Sequence, residues 1–285
     1  MKKFNLLLTV MLLVSFCAGA QAANVLYDDT HGQTAGNADW IPEGAYSEMV
    51  DMLKANNFKV ESLSKVTSGR AFTAEILKGY DGLILAEPNN PYSKAECDLI
   101  VDFVKNGGGL FIVGDHGNAD RDGDGWDAVR ALNEFCPKFG FQFKGNTVYE
   151  APVAGPINQD HPAMFGFKSV GIWAGSTFDI IEADGAKAVG LIDSRIAKTP
   201  YMIASEFGSG RVFAIGDSSP FDDGTGSGGK NKLHDSYDSF MFSHPQIAYN
   251  AMAWVTGKNP DHVTNSQPEK TAQTTVRFDS INIRR

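Results

Sequence analysis

Histidine and carboxylate residues recur in this 285-residue sequence directly after apolar runs, where an α/β chain delivers its chemistry. His31 follows Asn24–Tyr27 by way of Asp28 and Asp29, and Glu87 follows Gly82–Ala86. Asp115 and His116 follow Leu110–Val113, and Asp217 and Ser218 follow Arg211–Ile215. Neutral imidazoles and carboxylates can hold zinc, manganese or magnesium, and the bound ion lowers the pKa of its water towards neutrality. On that chemistry His31, Asp115, His116 and Asp217 hold metal or water. Glu87 is then the general base of a hydrolase acting on an extracellular ester, glycan or phosphodiester. The spacing of these residues is not a metal motif, so the reading depends on the strand ends converging. The alternative is a rim without catalysis that binds a small molecule, a glycan or a protein partner, and the plainest is a set of capped helices and satisfied loops.

Other strings invite chemistry of their own. Asp120-Arg121-Asp122-Gly123-Asp124-Gly125 has the D-x-D-x-D-G spacing that turns alternate carboxylates towards one hard cation. Its twelfth position is Ala131 rather than the bidentate Glu of an EF-hand, so weak calcium binding through Asp120, Asp122 and Asp124 competes with a solvated acidic turn. Gly216-Asp217-Ser218 and Asp28-x-x-His31 are the strings of a GDS-type serine esterase in reversed order. Nucleophilic Ser218 with His31 or His234 as base is thus a second alternative, against a turn in which Asp217 and Ser218 simply hydrogen-bond. Gly224 to Lys230 nearly spells a P-loop, but Asn231 stands where magnesium needs Ser or Thr, and the loop begins eight residues past its strand. No nucleotide is expected there, only a mobile flap. Trp40, Tyr92, Trp126, Trp173 and Tyr237 offer stacking faces for sugar rings, although aromatic residues more often pack.

The elements that must position these residues alternate. Strand patterns at Asn24–Tyr27, Lys59–Leu63, Gly82–Ala86 and Leu110–Val113 are separated by helical spacing over Glu43–Ala55, Thr73–Lys78 and the stretch after Ser93. Ser93 with Glu96 three residues on reads as a capping box. Trp126–Phe135 reads as helix, 141–194 as mostly β, and Met202–Phe207 with Arg211–Ile215 as a hairpin. His244–Val255 closes the domain with Ser243 as its cap. Such alternation predicts a doubly wound, mostly parallel sheet whose ligands sit beyond the carboxyl ends of its strands.

Lys2-Lys3, the apolar run Phe4–Phe16 and Ala20-Gln21-Ala22 read as a cleavable export signal over 1–22. Phe16 is too bulky for a lipid-attachment site at Cys17. The product expected is periplasmic or secreted, with an α/β domain over 23–257, a polar tail over 258–285 and an edge-strand pattern at Thr275–Ile283. No later apolar stretch is long enough to span a membrane. Net charge is −9, and −11 without Lys2 and Lys3, a balance that repels phosphate backbones and argues against broad nucleic-acid binding. Cys97 and Cys136 either pair, as an oxidising compartment allows, or sit as buried thiols.

Several phrases together resemble the class I glutamine-amidotransferase-like superfamily, and within it secreted bacterial branches such as the GIFT-domain proteins. They are Asp28-Asp29-Thr30-His31-Gly32-Gln33, Tyr80 to Ile84, Gly107 to Asp115, His161-Pro162 and Gly208 to Asp217. The resemblance implies a flavodoxin-like fold over about 24–257. Glutaminases of the superfamily place a cysteine on the turn that here holds Asp115 and His116, so amide hydrolysis through a cysteinyl intermediate is not expected.

Overall fold

The computed structural model describes residues 21–68, 71–226 and 234–263. Residues 1–20 of the export-signal pattern, the glycine-rich stretch beyond Gly226 and the strand pattern at Thr275–Ile283 lie outside the described residues. Within them, β1 (Ala23–Asp28), β2 (Phe58–Ser62), β3 (Gly82–Ala86) and β4 (Gly109–Val113) alternate with α1 (Ser47–Ala55), α2 (Leu63–Val66), α3 (Ala74–Leu77) and α4 (Lys94–Lys105). Then come α5 (Ala128–Asn133), β5 (Phe141–Phe143), β6 (Val148–Glu150), β7 (Ile172–Gly175), β8 (Phe178–Ile180), β9 (Ala186–Asp193), β10 (Pro200–Phe207), β11 (Gly210–Ile215) and α6 (His244–Val255). The central sheet has seven strands in the order β2-β1-β3-β4-β11-β10-β9. The first five are parallel, and β10 pairs antiparallel with both of its neighbours. The parallel part, numbered among its own strands, runs 2-1-3-4-5, the flavodoxin-like order.

Side chains alternate across this sheet, which explains the uninterrupted apolar runs. Val25, Tyr27, Ile84, Phe111, Val113, Phe213 and Ile215 join the core beneath α1 and α6. Leu26, Leu83, Leu85, Leu110, Ile112, Val212 and Ala214 join the core beneath α4 and α5. Both faces are covered, so a strand has no polar side to present and its acids collect past its end. The segment 141–194 is β-rich, as its composition predicts, but it forms two small antiparallel sheets, β5-β8 and β6-β7, besides β9.

Helix starts follow their sequence signals at α4 and α5. Ser93 accepts from Glu96 N and Glu96 reaches back to Ser93 N, the reciprocal capping box. Asp127 caps α5 through Arg130 N. Ser243 departs from expectation: its Oγ accepts from Lys168 N and Ser169 N, and no side-chain bond caps α6. Pro245, early in that helix, has no N–H to offer, so the hydroxyl serves the neighbouring chain instead. α1 starts at Ser47, four residues after the start read from the sequence, because 41–46 form hydrogen-bonded turns. Residues 258–263 are docked: Lys258 Nζ donates to Asn57 O, and Val263 N donates to Gln246 Oε1 on α6. Cys97 and Cys136 are buried free thiols. Among the described residues, no helix is long and apolar enough to cross a membrane.

Candidate functional site

The four strands that deliver the acids are consecutive in the sheet: β1, β3, β4 and β11. Asp28, Glu87, Asp115 and Asp217 therefore line one edge, on both sides of the switch point between β1 and β3 where flavodoxin-like folds open a crevice. All four are buried. The rim divides into two networks.

The first is built on β1. Asp28 Oδ1 lies 2.9 Å from His31 Nδ1, and Asp28 Oδ2 accepts from Tyr92 Oη at 2.8 Å and from Gln33 Nε2 at 3.2 Å. The other ring nitrogen of His31 lies 3.2 Å from Glu96 Oε1, so the capping-box glutamate of α4 also holds this histidine. Tyr92 and Phe72 flank the imidazole with ring centroids 4.2 and 5.7 Å away. Burial opposes charge on His31, but Asp28 and then Glu96 outweigh it and raise its pKa. Burial would likewise raise Asp28, yet the imidazolium and the Tyr92 hydroxyl win and lower it. His31 is thus clamped with a carboxylate facing each ring nitrogen, so neither nitrogen is turned towards a metal site.

The second network is centred on Arg121. Its Nε donates to Glu87 Oε1 and its Nη2 to Asp115 Oδ2, each at 2.6 Å, while Nη1 donates to Asn37 Oδ1 at 3.1 Å. The guanidinium carbon lies 5.7 Å from the centroid of the Trp40 ring. Burial pushes Glu87 well above the usual carboxylate range, its neighbour Asp115 adds to this, and Arg121 opposes it only in part. Asp115 is raised by burial to about 6, a rise that its side-chain hydrogen bond with Glu87 and the Arg121 charge oppose in part. Asp217 is raised by burial to about 7, although Trp173 N and Ser219 N donate to it at 2.5 and 2.9 Å. Asp222, also buried, is raised by burial to about 7.

The fold forces these positions. A Cβ on Gly216 would lie 1.9 Å from Ser176 O, so only glycine lets the β11 turn approach that loop and present Asp217. Glu87 adopts a left-handed φ of 42°, a conformation a non-glycine residue holds only when its surroundings impose it.

The remaining candidates lie apart from these networks. His116 is half-buried, with its Nδ1 2.8 Å from Gly117 O and its N–H donating to Asp115 Oδ1. No three of His31, Asp115, His116 and Asp217 bring ligand atoms within 4.8 Å of one another. Among the described residues only Asp120, Asp122 and Asp124 do so, as their spacing predicts. Asp120 already accepts from the backbone N–H groups of Gly123, Asp124 and Gly125, which lower its pKa, Gly125 foremost. Ser218 is buried at the start of a short 3₁₀ turn, its carbonyl accepting from Tyr46 Oη. No hydrogen bond joins it to His31 or His234 among the described residues, so the geometry of a serine triad is not assembled. Of the proposed stacking faces, Trp40, Tyr92 and Tyr237 are buried, while Trp126 and Trp173 are half-exposed.

Sequence reasoning missed Arg121, Glu96 and Asp222. Arg121 had a signal: it is the one Lys or Arg between Asp115 and Asp127, a stretch otherwise crowded with acids.

No family model matches the chain, and no curated protein matches it. Among solved structures, the N-terminal domain of mmIFT52 aligns at a TM-score of 0.58 and 15% identity over 82% of this chain and 97% of its own. A cytoplasmic protein from Salmonella typhimurium aligns at 0.53 and 14% identity over 81% of this chain and 98% of its own. A ThuA-like protein from Parabacteroides merdae aligns at 0.49 and 15% identity over 88% and 96%. At such identities the first two likenesses are of fold, and with the strand order they leave one conclusion: this chain is an α/β protein of flavodoxin-like architecture.

Proposed function

We propose that this chain is a ligand-binding module of the amidotransferase-like kind, exported by its 1–22 leader pattern and akin to the GIFT-like branch, whose rim takes a glycan without transforming it. The observation that carries this reading is the Arg121 bridge. A guanidinium 2.6 Å from both Glu87 and Asp115 already provides the positive charge that a divalent ion would bring. The imidazole that such an ion or a serine would need is held by Asp28 and Glu96. What remains at the mouth suits recognition: the half-exposed Trp173 ring with His234 4.5 Å from it, beside the Asp217 carboxyl to which Trp173 N donates. Sugar recognition uses that combination of an aromatic face and fixed polar groups.

The test is purification without chelator, followed by metal analysis, a hydrolase screen over ester, glycosidic and phosphodiester substrates, and calorimetric titration with mono- and oligosaccharides, each with and without EDTA. Substoichiometric metal, no turnover and saccharide binding indifferent to EDTA are expected. Stoichiometric metal with chelator-sensitive turnover would overturn the reading in favour of the metal-assisted hydrolase. A fluorophosphonate label lost in Ser218→Ala would overturn it in favour of the esterase.

A further inference from the structure

The strand β9 ends the central sheet, and only half of its outer edge is covered. Asn158 N donates to Leu191 O and Asp193 N donates to Pro156 O, so the 156–158 segment lies along Leu191–Asp193. The first half of the strand has no such cover. Among the described residues, no hydrogen bond outside the ladder with β10 reaches Lys187–Gly190. Exposure follows the cover: Leu191 and Ile192 are buried, whereas Lys187 and Val189 are exposed. An open ladder is a template for one more strand.

A groove of about 550 Å³ lies against the open half, lined by Ile180, Ile181, Ala186, Lys187 and Ala188 beside the Glu182–Asp184 turn. Ala186 and Ala188 lie on one face of β9, each 3.3 Å from where a Cβ on Gly140 would sit, and Val189 lies on the other. Ile180 is 47% and Val189 40% exposed, so apolar surface stands on both sides of the edge. Glu182 and Asp184, both exposed, outnumber Lys187 there. A strand that fits this edge carries apolar residues on both faces and an excess of basic ones.

Thr275–Ile283 and the two residues after it have that composition. At a period of two, Val276 and Phe278 share one face and Ile281 and Ile283 the other, and Arg277, Arg284 and Arg285 outnumber Asp279. The chain also leaves the described residues on the right side of the molecule. His262 packs on Phe165, with ring centroids 4.9 Å apart. Phe165 is seven residues from Asn158, at most about 25 Å and less because Pro162–Met164 coil into a 3₁₀ turn. Residues 264–274 span up to about 36 Å when extended, enough to carry the segment from there to β9.

We propose that part of Thr275–Ile283 docks on Lys187–Gly190 as an eighth strand, its apolar side chains over both faces of that edge and its arginines beside the Glu182–Asp184 turn. Strand addition takes its affinity from main-chain hydrogen bonds and its specificity from alternate side chains. A second copy of the chain is a poorer occupant. Its own 156–158 segment stands on the same edge, so two copies could pair only over the short open stretch.

The experiment is hydrogen exchange followed residue by residue by NMR on the full chain, on the double variant Phe278→Asp, Ile281→Asp, and on Val189→Lys, which alters the edge from the other side. In the parent, the outward amides of Lys187–Gly190 and alternate amides of 275–283 are expected to exchange at least about tenfold more slowly than those of a free peptide of the same sequence. In both variants the two sets should rise together to within about threefold of the free rate, while the amides of β10 keep their protection and so report an intact fold. Free exchange over 275–283 in the parent overturns the proposal. So does slow exchange at Lys187–Gly190 that survives the double variant. Protection that grows with protein concentration, with a dimer in light scattering that the variants lose, overturns docking within one chain in favour of a second copy.

Discussion

Arg121 decides what the rim acids can do. Glu87 and Asp115 sit side by side past the ends of neighbouring strands, and a fixed cation favours the ionised form of a carboxyl buried this far. Replacing Arg121 by methionine keeps most of the apolar stem over Trp40 and removes the charge. The variant is expected to lose about 3–5 kcal/mol at neutral pH, the cost of stranding buried partners. The loss should shrink near pH 5, where Asp115, already raised to about 6, takes up a proton instead. Urea denaturation at the two pH values checks this, and an equal loss at both would show that packing rather than charge is responsible. The sequence placed Asp28, Glu87, Asp115 and Asp217 on one edge because each follows an apolar run. It concealed who neutralises them, because charge partners arrive from loops distant in the chain: Arg121 reaches back 34 residues to Glu87, and Glu96 lies on the helix after β3. His31 looked like a ligand for the same reason, since residue type alone does not tell a free imidazole from one held at both nitrogens.

Elements, unlike partners, were legible wherever a local rule governed them. Ser93 and Glu96 satisfy each other within four residues, so the capping box could be read directly, whereas Ser243 serves a strand-side loop some 75 residues away and could not. The turn after β11 lies between these cases. Its glycine is visible, but its necessity comes from Ser176, brought against it by the small β-rich segment. Gly216→Ala would drive a methyl into a backbone carbonyl, which cannot yield as a side-chain tip can. The substitution is expected to cost about 1–3 kcal/mol, or to prevent accumulation of folded protein, and to displace Asp217. Gly79→Ala is the matched control: its Cβ would meet only Ile76 O, at an ordinary 3.5 Å, and its stability should stay within about 0.5 kcal/mol of the parent. Ser93→Ala should lie between, at about 1 kcal/mol, by losing the accepting oxygen at the N-terminus of α4. Thermal melts of the three variants rank them, and a Gly216→Ala protein as stable as Gly79→Ala would show that the β11 turn has slack.

At the scale of the whole molecule these networks set how stability responds to pH, and most of them act in one direction. Glu87, Asp115, Asp217 and Asp222 have folded-state values raised above those of free carboxyls, with Asp115 at about 6 and Asp217 and Asp222 at about 7. A raised acid binds its proton more tightly folded than unfolded. Its contribution is complete below the ordinary carboxylate value of about 4 and is lost as pH climbs through 6 and 7. His31, raised by Asp28 and Glu96 against its burial, adds stability below about 6.5 that is likewise lost as pH rises through its folded value. Asp28, lowered despite its burial, works oppositely: its contribution is present above about 4 and is lost as pH falls through its depressed value. The sum places maximal stability on the acid side of neutrality, near pH 5, with a decline towards pH 8. A melting temperature roughly 5–10 °C lower at pH 8 than at pH 5 is expected for a few kcal/mol in a domain of this size. Asp217→Asn fixes one of these groups in a neutral form and should flatten the decline while changing stability at pH 5 much less. Melting curves of both proteins from pH 4 to 9 decide the matter: a parent whose melting temperature rises steadily from 5 to 8 would mean that the rim acids are ionised in the folded protein, with their charge met by something other than bound protons.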